Sequence, residues 1–278
     1  MARIRAPQFS GKFYPSAKKE LQAEISRCFS DKKFGPGGRF EQSDSVIGGI
    51  VPHAGYFYSG ACAANFYSLL PKDKFRTIVL LGTNHTGKGA SLSIGPWEFW
   101  ETPLGKVPLN VQLAERLSDS ELFRQEPLSH FGEHSIEVQL PFLQTVLDRF
   151  SILPITVSAG SLGSLERAGK ALAEIVGRKK TLFIASSDFN HYEGRPETER
   201  KDFFAIESAL SLSPEKLLKN ISEKDISMCG VLPSALLLQT LSEFGESRGE
   251  LLKHHISGDV LASGNGNVGY ASIAFFRK

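Results

Sequence analysis

Val46-Ile47-Gly48-Gly49-Ile50-Val51 runs directly into Pro52-His53-Ala54-Gly55-Tyr56, and this order of apolar run, turn and histidine decides the fold because the chain repeats it. Thr77-Ile78-Val79-Leu80-Leu81 ends in Gly82-Thr83-Asn84-His85-Thr86-Gly87. Thr181-Leu182-Phe183-Ile184-Ala185 ends in Ser186-Ser187-Asp188-Phe189-Asn190-His191. Short β-branched and apolar runs bounded by turn residues read as strands buried on both faces. Helical patterns follow: the small-residue segment Gly60-Ala61-Cys62-Ala63-Ala64 continuing to Leu70, and a charged stretch from about Pro196 to Leu210. This alternation predicts an α/β fold, a mixed but mostly parallel sheet covered by helices on both faces.

Working outward, Leu21, Ile25, Cys28 and Phe29 lie at helical spacing after Ser16, which predicts an N-terminal helix behind an irregular arm at 10–15. Residues 32–44, with Gly35, Pro36, Gly37 and Gly38, read as a loop. Residues 97–107 read as a hairpin around Pro103-Leu104-Gly105. With a closing strand at 268–276, it is expected to supply antiparallel edges to the sheet. A helix is expected over 135–150, with Ile136, Leu140, Leu143 and Leu147 on one stripe and Pro141 forcing a kink or a late start. A strand at 152–157, a helix at 165–176, a helix starting at Ser213-Pro214-Glu215 and an apolar helix at 231–241 complete the pattern. With no repeat, low-complexity tract or linker, one domain over 1–278 is expected.

Composition narrows the function. With 278 residues, 41% hydrophobic and 22% charged, the chain is neither disordered nor short of core. A net charge of +2 without a basic run gives no field for nucleic acid or an anionic membrane. No run approaches the roughly 18 apolar residues of a membrane span. The start, MARIRAPQFSGKFYP, lacks the apolar stretch of a secretory signal. Three cysteines, Cys28, Cys62 and Cys229, are odd in number and widely spaced, so no disulfide framework is expected and the cytoplasm is the expected location.

Ligands of open α/β sheets gather beyond the carboxyl ends of the strands. His53, His85 and His191 all occupy that topological position, and imidazole is the commonest side-chain metal ligand. Cys229, in Met228-Cys229-Gly230 before the helix at 231, has a helix N-terminus to lower its thiol pKa. It reads equally as a small buried hydrophobe, which is the reading Cys28 and Cys62 take within their apolar helical patterns. In Glu133-His134-Ser135-Ile136-Glu137, His134 and Glu137 share a helix face, as do Glu133 and Glu137. Carboxylate and imidazole can then point together into the cleft, or the acids can simply suit the helix dipole. His130, His254 and His255 have polar or irregular neighbours and are expected at the surface. Gly82 to Gly89 nearly spells a phosphate-binding P-loop, but Gly89 replaces the Ser or Thr that holds magnesium and a strand-like segment follows, so a nucleotide triphosphatase is not expected.

Phe13-Tyr14-Pro15, Pro52-His53-Ala54-Gly55-Tyr56, Gly82-Thr83-Asn84-His85, Glu133-His134-Ser135-Ile136-Glu137, Ser186-Ser187-Asp188-Phe189-Asn190-His191 and Cys229-Gly230 run in order across nearly the whole chain. Together they make the sequence resemble the Memo family, whose archaeal and bacterial members are also called AmmeMemoRadiSam system protein B. The resemblance implies a fold like that of class III extradiol dioxygenases, which open catechol rings with non-haem Fe(II). It implies that His53, His85 and Cys229 hold a metal, and that His191 matches the acid/base histidine with Asp188 beside it. The dioxygenases use two histidines and a carboxylate, whereas the third donor here is a thiolate, which suits copper or zinc as well as iron. Bound metal, Fe(II) or Cu first and Zn after them, is therefore expected with little catechol cleavage.

Three functions follow as expectations. The first is a metal-dependent redox enzyme with His191 moving a proton. The second is a binding protein that uses the same cleft for an acidic or phosphorylated peptide, as animal Memo relatives are described to do. The third is a zinc hydrolase with Glu137 or His191 as general base. The family's name implies partners of AMMECR1 and radical-SAM type. This chain lacks the CxxxCxxC cysteines of a radical-SAM enzyme.

Overall fold

A computed structural model describes residues 2–261 and 266–278. In chain order its elements are β1 (Ile4–Arg5), α1 (Lys18–Ser30), β2 (Val46–Val51), a π-helical turn (Tyr56–Gly60) leading into α2 (Ala61–Tyr67), β3 (Thr77–Thr83), β4 (Leu92–Ile94), β5 (Phe99–Thr102), β6 (Gly105–Pro108), α3 (Val111–Ser118) and β7 (Arg124–Gln125). Then come α4 (Leu140–Val146), β8 (Ser151–Val157), α5 (Leu162–Val176), β9 (Thr181–Ser186), β10 (His191–Glu193), α6 (Arg195–Leu210), α7 (Pro214–Glu223), α8 (Val231–Ser242), β11 (Ser247–Ile256), α9 (Ser257–Val260) and β12 (Asn267–Arg277).

The centre of the main sheet is parallel, in the order β2-β9-β3-β8. Side chains alternate between its two faces, as the pleat requires. Ile78 and Leu80 of β3 and Leu182 and Ile184 of β9 join α1, α2 and α4 in one core. Val79, Leu81, Phe183 and Ala185 join α3, α5, α6, α7 and α8 in the other. Two helical layers over one mixed sheet is the architecture the strand runs predicted, but only its centre is parallel: β4 joins β8, and β12 joins β2, β10 and β11, in antiparallel fashion.

Two details differ from the sequence expectation. The β5–β6 hairpin does not edge the main sheet; it pairs with β1 in a separate three-stranded sheet. β12 is interior rather than an edge, because β2 and β11 pair with the same stretch of it from opposite sides, and β10 joins near its start. Ser247–Ile256 carries too many polar residues to read as a strand, yet it pairs along nearly the whole of β12. Pro141 acts as expected by delaying the helix: a 3-10 turn spans Glu137–Gln139, and α4 opens at Leu140 with the proline in its first turn, where its missing N–H costs nothing.

Candidate metal centre

Register brings the site together. Ser186, the last residue of β9, lies opposite Val51 of β2 on one side and Gly82 of β3 on the other. The residues two or three positions further along, His53, His85 and Asp188, therefore emerge side by side from neighbouring strands. The segment carrying His134 rests on the end of β3: the Ser135 hydroxyl donates to the Thr83 carbonyl at 2.9 Å. Gly82 permits this approach, since a Cβ there would stand 2.6 Å from Ser135 Oγ and 2.4 Å from Ile136. Gly230 does the same for Cys229. Its N–H donates to Ser187 Oγ at 3.0 Å, and a Cβ would meet the Ser187 Cβ at 2.3 Å.

The imidazoles of His53, His85 and His134 converge, each offering a ring nitrogen within 4.8 Å of the others. His53 is perpendicular to both of its neighbours. Its tautomer follows from one hydroxyl. Ser186 has a single proton, which goes to the Ser135 carbonyl at 2.6 Å, and its oxygen accepts from Gln139 Nε2 at 2.8 Å. The contact of 3.0 Å with His53 Nδ1 must then be donated by the ring, so the lone pair is on Nε2. His85 is set in the same way: Glu133 takes its Nδ1 at 3.0 Å and its main-chain N–H at 2.6 Å. A carboxylate behind a histidine fixes the tautomer and raises ligand basicity.

Burial, with the His85 charge next, lowers the His53 pKa to about 3. Burial together with His53 lowers that of His134 to about 3. Both rings stay neutral at physiological pH, as ligands must. Burial alone would raise the Glu133 carboxyl, but its hydrogen bond to His85 and the surrounding charges hold it down at about 2.

Cys229 Sγ lies 3.2 Å from His53 Nε2. Two donors of one tetrahedral ion, at roughly 2.05 and 2.3 Å from it, stand about 3.5 Å apart, so sulfur and nitrogen have the spacing of a shared ligand edge. The helix N-terminus does not lower this thiol as expected. Burial and the Asp188 carboxylate outweigh it and push the pKa up. Cys28 and Cys62 are buried, with thiols pushed up to about 12 by burial.

Asp188 lies beneath the Pro52–Ala54 turn, its Oδ1 accepting from the N–H groups of His53 at 2.7 Å and Ala54 at 3.3 Å, and burial raises its pKa. His191 gives its Nδ1–H to the Ser227 carbonyl at 2.8 Å, which leaves Nε2 as the basic nitrogen.

Glu137 does not join His134 in the cleft. Its carboxylate pairs with Arg5 Nη1 at 2.5 Å and accepts from Gln8 and Phe9 N–H and from the Tyr14 hydroxyl. The helix assumed for 133–137 begins too late for the two side chains to share a face. Glu137 instead pins the N-terminal arm, whose Phe9 and Phe13 rings pack against His134 with centroids 5.4 and 4.3 Å away. His130, His254 and His255 are not surface residues either. His130 is fully buried against Trp97 and Trp100, His255 stacks on Phe34, and His254 Nε2 meets the buried Asp202 at 2.8 Å. Gln139 carried no signal in the sequence; Ser186 stood out only within a piece shared with the Memo family, and Glu133 through that resemblance and a helical pairing with Glu137 that the structure does not form.

An α/β sheet with imidazoles and a thiol gathered at the carboxyl ends of its central strands defines a protein built around a candidate metal pocket. The family model described as Memo-like protein matches residues 5–274, and the chain belongs to the Memo family. A MEMO1 family protein of Thermotoga neapolitana is 42% identical over 276 residues, covering 97% of this chain and 98% of the relative. One of Nitrosopumilus maritimus is 36% identical over 274 residues, with 98% and 99% covered. The fold is also similar to that in a crystal structure of an uncharacterized protein, JW3007, of Escherichia coli K12. The TM-score is 0.50 at 14% identity, over 82% of this chain and 99% of that one.

Proposed function

We propose that this chain is a metal-dependent redox protein in which His53, His85 and Cys229 hold one transition-metal ion, Fe(II) or Cu before Zn. The observation that carries the reading is the pairing of two Nε2 lone pairs, freed by the Ser186 and Glu133 hydrogen bonds, with a sulfur 3.2 Å from one of them. His134 is the competing third donor, since the three imidazoles alone lie within 4.8 Å of one another and Cys229 is outside that group; the 3.2 Å contact of Cys229 Sγ with His53 Nε2 supports sulfur. A mixed imidazole and thiolate set suits those metals, which would supply electron transfer and Lewis acidity.

The remaining residues have separate tasks. Asp188 positions the His53 main chain. His191 presents Nε2 to take and return a proton, its ring held by Ser227. His134, backed by Phe9 and Phe13, walls the pocket against water. Glu137 is withdrawn as a general base because Arg5 and the arm occupy its oxygens. Radical chemistry, if the pathway uses it, belongs to a partner of radical-SAM type acting with an AMMECR1-type protein. Three free cysteines fit a cytoplasmic setting.

The test is elemental analysis of the purified protein and of the His53→Ala, His85→Ala and Cys229→Ser variants, followed by oxygen uptake with catechols. Near-stoichiometric metal, lost in the variants, with little catechol cleavage is the expected outcome. Metal-free protein and an unaltered Cys229→Ser would end the proposal.

A further inference from the structure

We propose a second binding site, for a small phosphorylated ligand carrying a ring, at the amino ends of the central strands. A cavity of about 410 Å³ opens there, between the starts of β2 and β9, the residues preceding β3, the end of β12 and the link between α8 and β11. Six strand residues at about 3.3 Å each separate it from the histidine cluster by roughly 20 Å, so it is independent of the metal pocket. Its size falls within the range of small-molecule sites.

Charge identifies the ligand. Lys74, Arg178, Lys179, Lys180 and Arg277 line the cavity against only Asp44 and Glu246, in a chain whose whole net charge is +2. Glu246 is already engaged by Lys278 Nζ at 3.4 Å. Lys74 is held in place by the Asp44 and Val46 carbonyls, and Arg178 by the Phe244 carbonyl at 3.2 Å. Lys179, Lys180 and Arg277 have no side-chain ion pair or hydrogen bond among the described residues. Lys180 is fixed by its main chain: it adopts φ 57°, and its carbonyl accepts from the N–H groups of Arg76 and Thr77. Burial lowers the Lys74 pKa, with Asp44 pulling it back up and the neighbouring Arg277 adding to the fall.

Cations gathered with few carboxylates recognise phosphate oxygens. Ile47, Phe75 and Phe244 supply an apolar floor beside them, suited to the ring of a phosphate monoester rather than to a bare ion.

The experiment is calorimetric titration of the full chain with AMP, pyrophosphate and adenosine. AMP is expected to saturate at about 0.1 mM, with adenosine at least about tenfold weaker and AMP weakening as salt rises. The double variant Lys180→Gln/Arg277→Gln should lose roughly tenfold or more in AMP affinity with unchanged metal content, and Lys170→Gln on α5 should lose nothing. AMP that fails to saturate below about 5 mM, or that binds the double variant as well as the parent, overturns the proposal. Pyrophosphate binding with AMP excluded overturns the assignment of a ring-bearing ligand.

Discussion

Glu133 grips His85 at two points, accepting its main-chain N–H at 2.6 Å and its Nδ1–H at 3.0 Å, although 48 residues separate them in the chain. Both the position and the tautomer of the ring depend on this one carboxylate, whose remaining lone pairs take the Ser135 N–H at 2.8 Å.

Replacing Glu133 with Gln should therefore weaken metal binding by roughly 10–100-fold while the chain still folds. Competition with a chromogenic chelator gives the affinity. Parental affinity in this variant would show that the carboxylate does not tune the site.

Cobalt substitution separates the two candidate third donors. Co(II) protein should show a near-ultraviolet sulfur-to-metal charge-transfer band that disappears in Cys229→Ser and persists in His134→Ala. Absence of that band in the parent Co(II) protein, with cobalt binding weakened in His134→Ala and unchanged in Cys229→Ser, would give the third position to His134.

Arg5 and Glu137 form a buried pair, each side chain at most 1% exposed. Arg5→Ala leaves a buried carboxylate without its cation and should cost about 3–5 kcal/mol, read from urea unfolding. The arm should loosen with it, so limited proteolysis within residues 6–13 should quicken. A variant as stable and as resistant as the parent would contradict the anchoring role of Glu137.

Acid should destabilise the protein through its buried histidines. Burial lowers His130 to about 3 and His255 to about 4, below the roughly 6.5 of a free imidazole. The unfolded chain then takes up protons that the folded chain refuses. The stability these residues contribute is complete above about pH 6.5 and is lost as pH falls towards 4 and then 3, at about 1.4 kcal/mol per pH unit for each group. Among the described residues neither ring nitrogen of His130 has a hydrogen-bond partner, so His130→Phe should remove about one proton from this slope and cost little stability at pH 7. Equal slopes for variant and parent would refute the assignment.

The sequence and the structure agree where the information is local. Apolar runs of five or six residues ending in turns were legible as strands, and a histidine just past a strand could be placed without knowing its neighbours. Pro141 likewise announced the late start of α4, because a missing N–H acts within one turn. The β5–β6 hairpin was legible as a hairpin, but its attachment to β1 was not, since pairing of Ile4 with Phe99 is a long-range event. Cys229 illustrates the same limit. A helix N-terminus is visible in sequence, whereas the burial that overrides it comes from segments over 40 residues away.

By itself the sequence determined that this is an α/β protein with buried central strands, and that His53 and His85 lie just past their carboxyl ends, because strand periodicity and the geometry of parallel sheets fix those positions chain segment by chain segment. Only the tertiary structure decided that His134 joins the cluster, that Glu133 rather than Glu137 supports it, and that His130, His254 and His255 are enclosed. Those outcomes depend on strand register and on which helix packs over which strand end. Such contacts join residues 48 to 197 positions apart, and no local pattern encodes them.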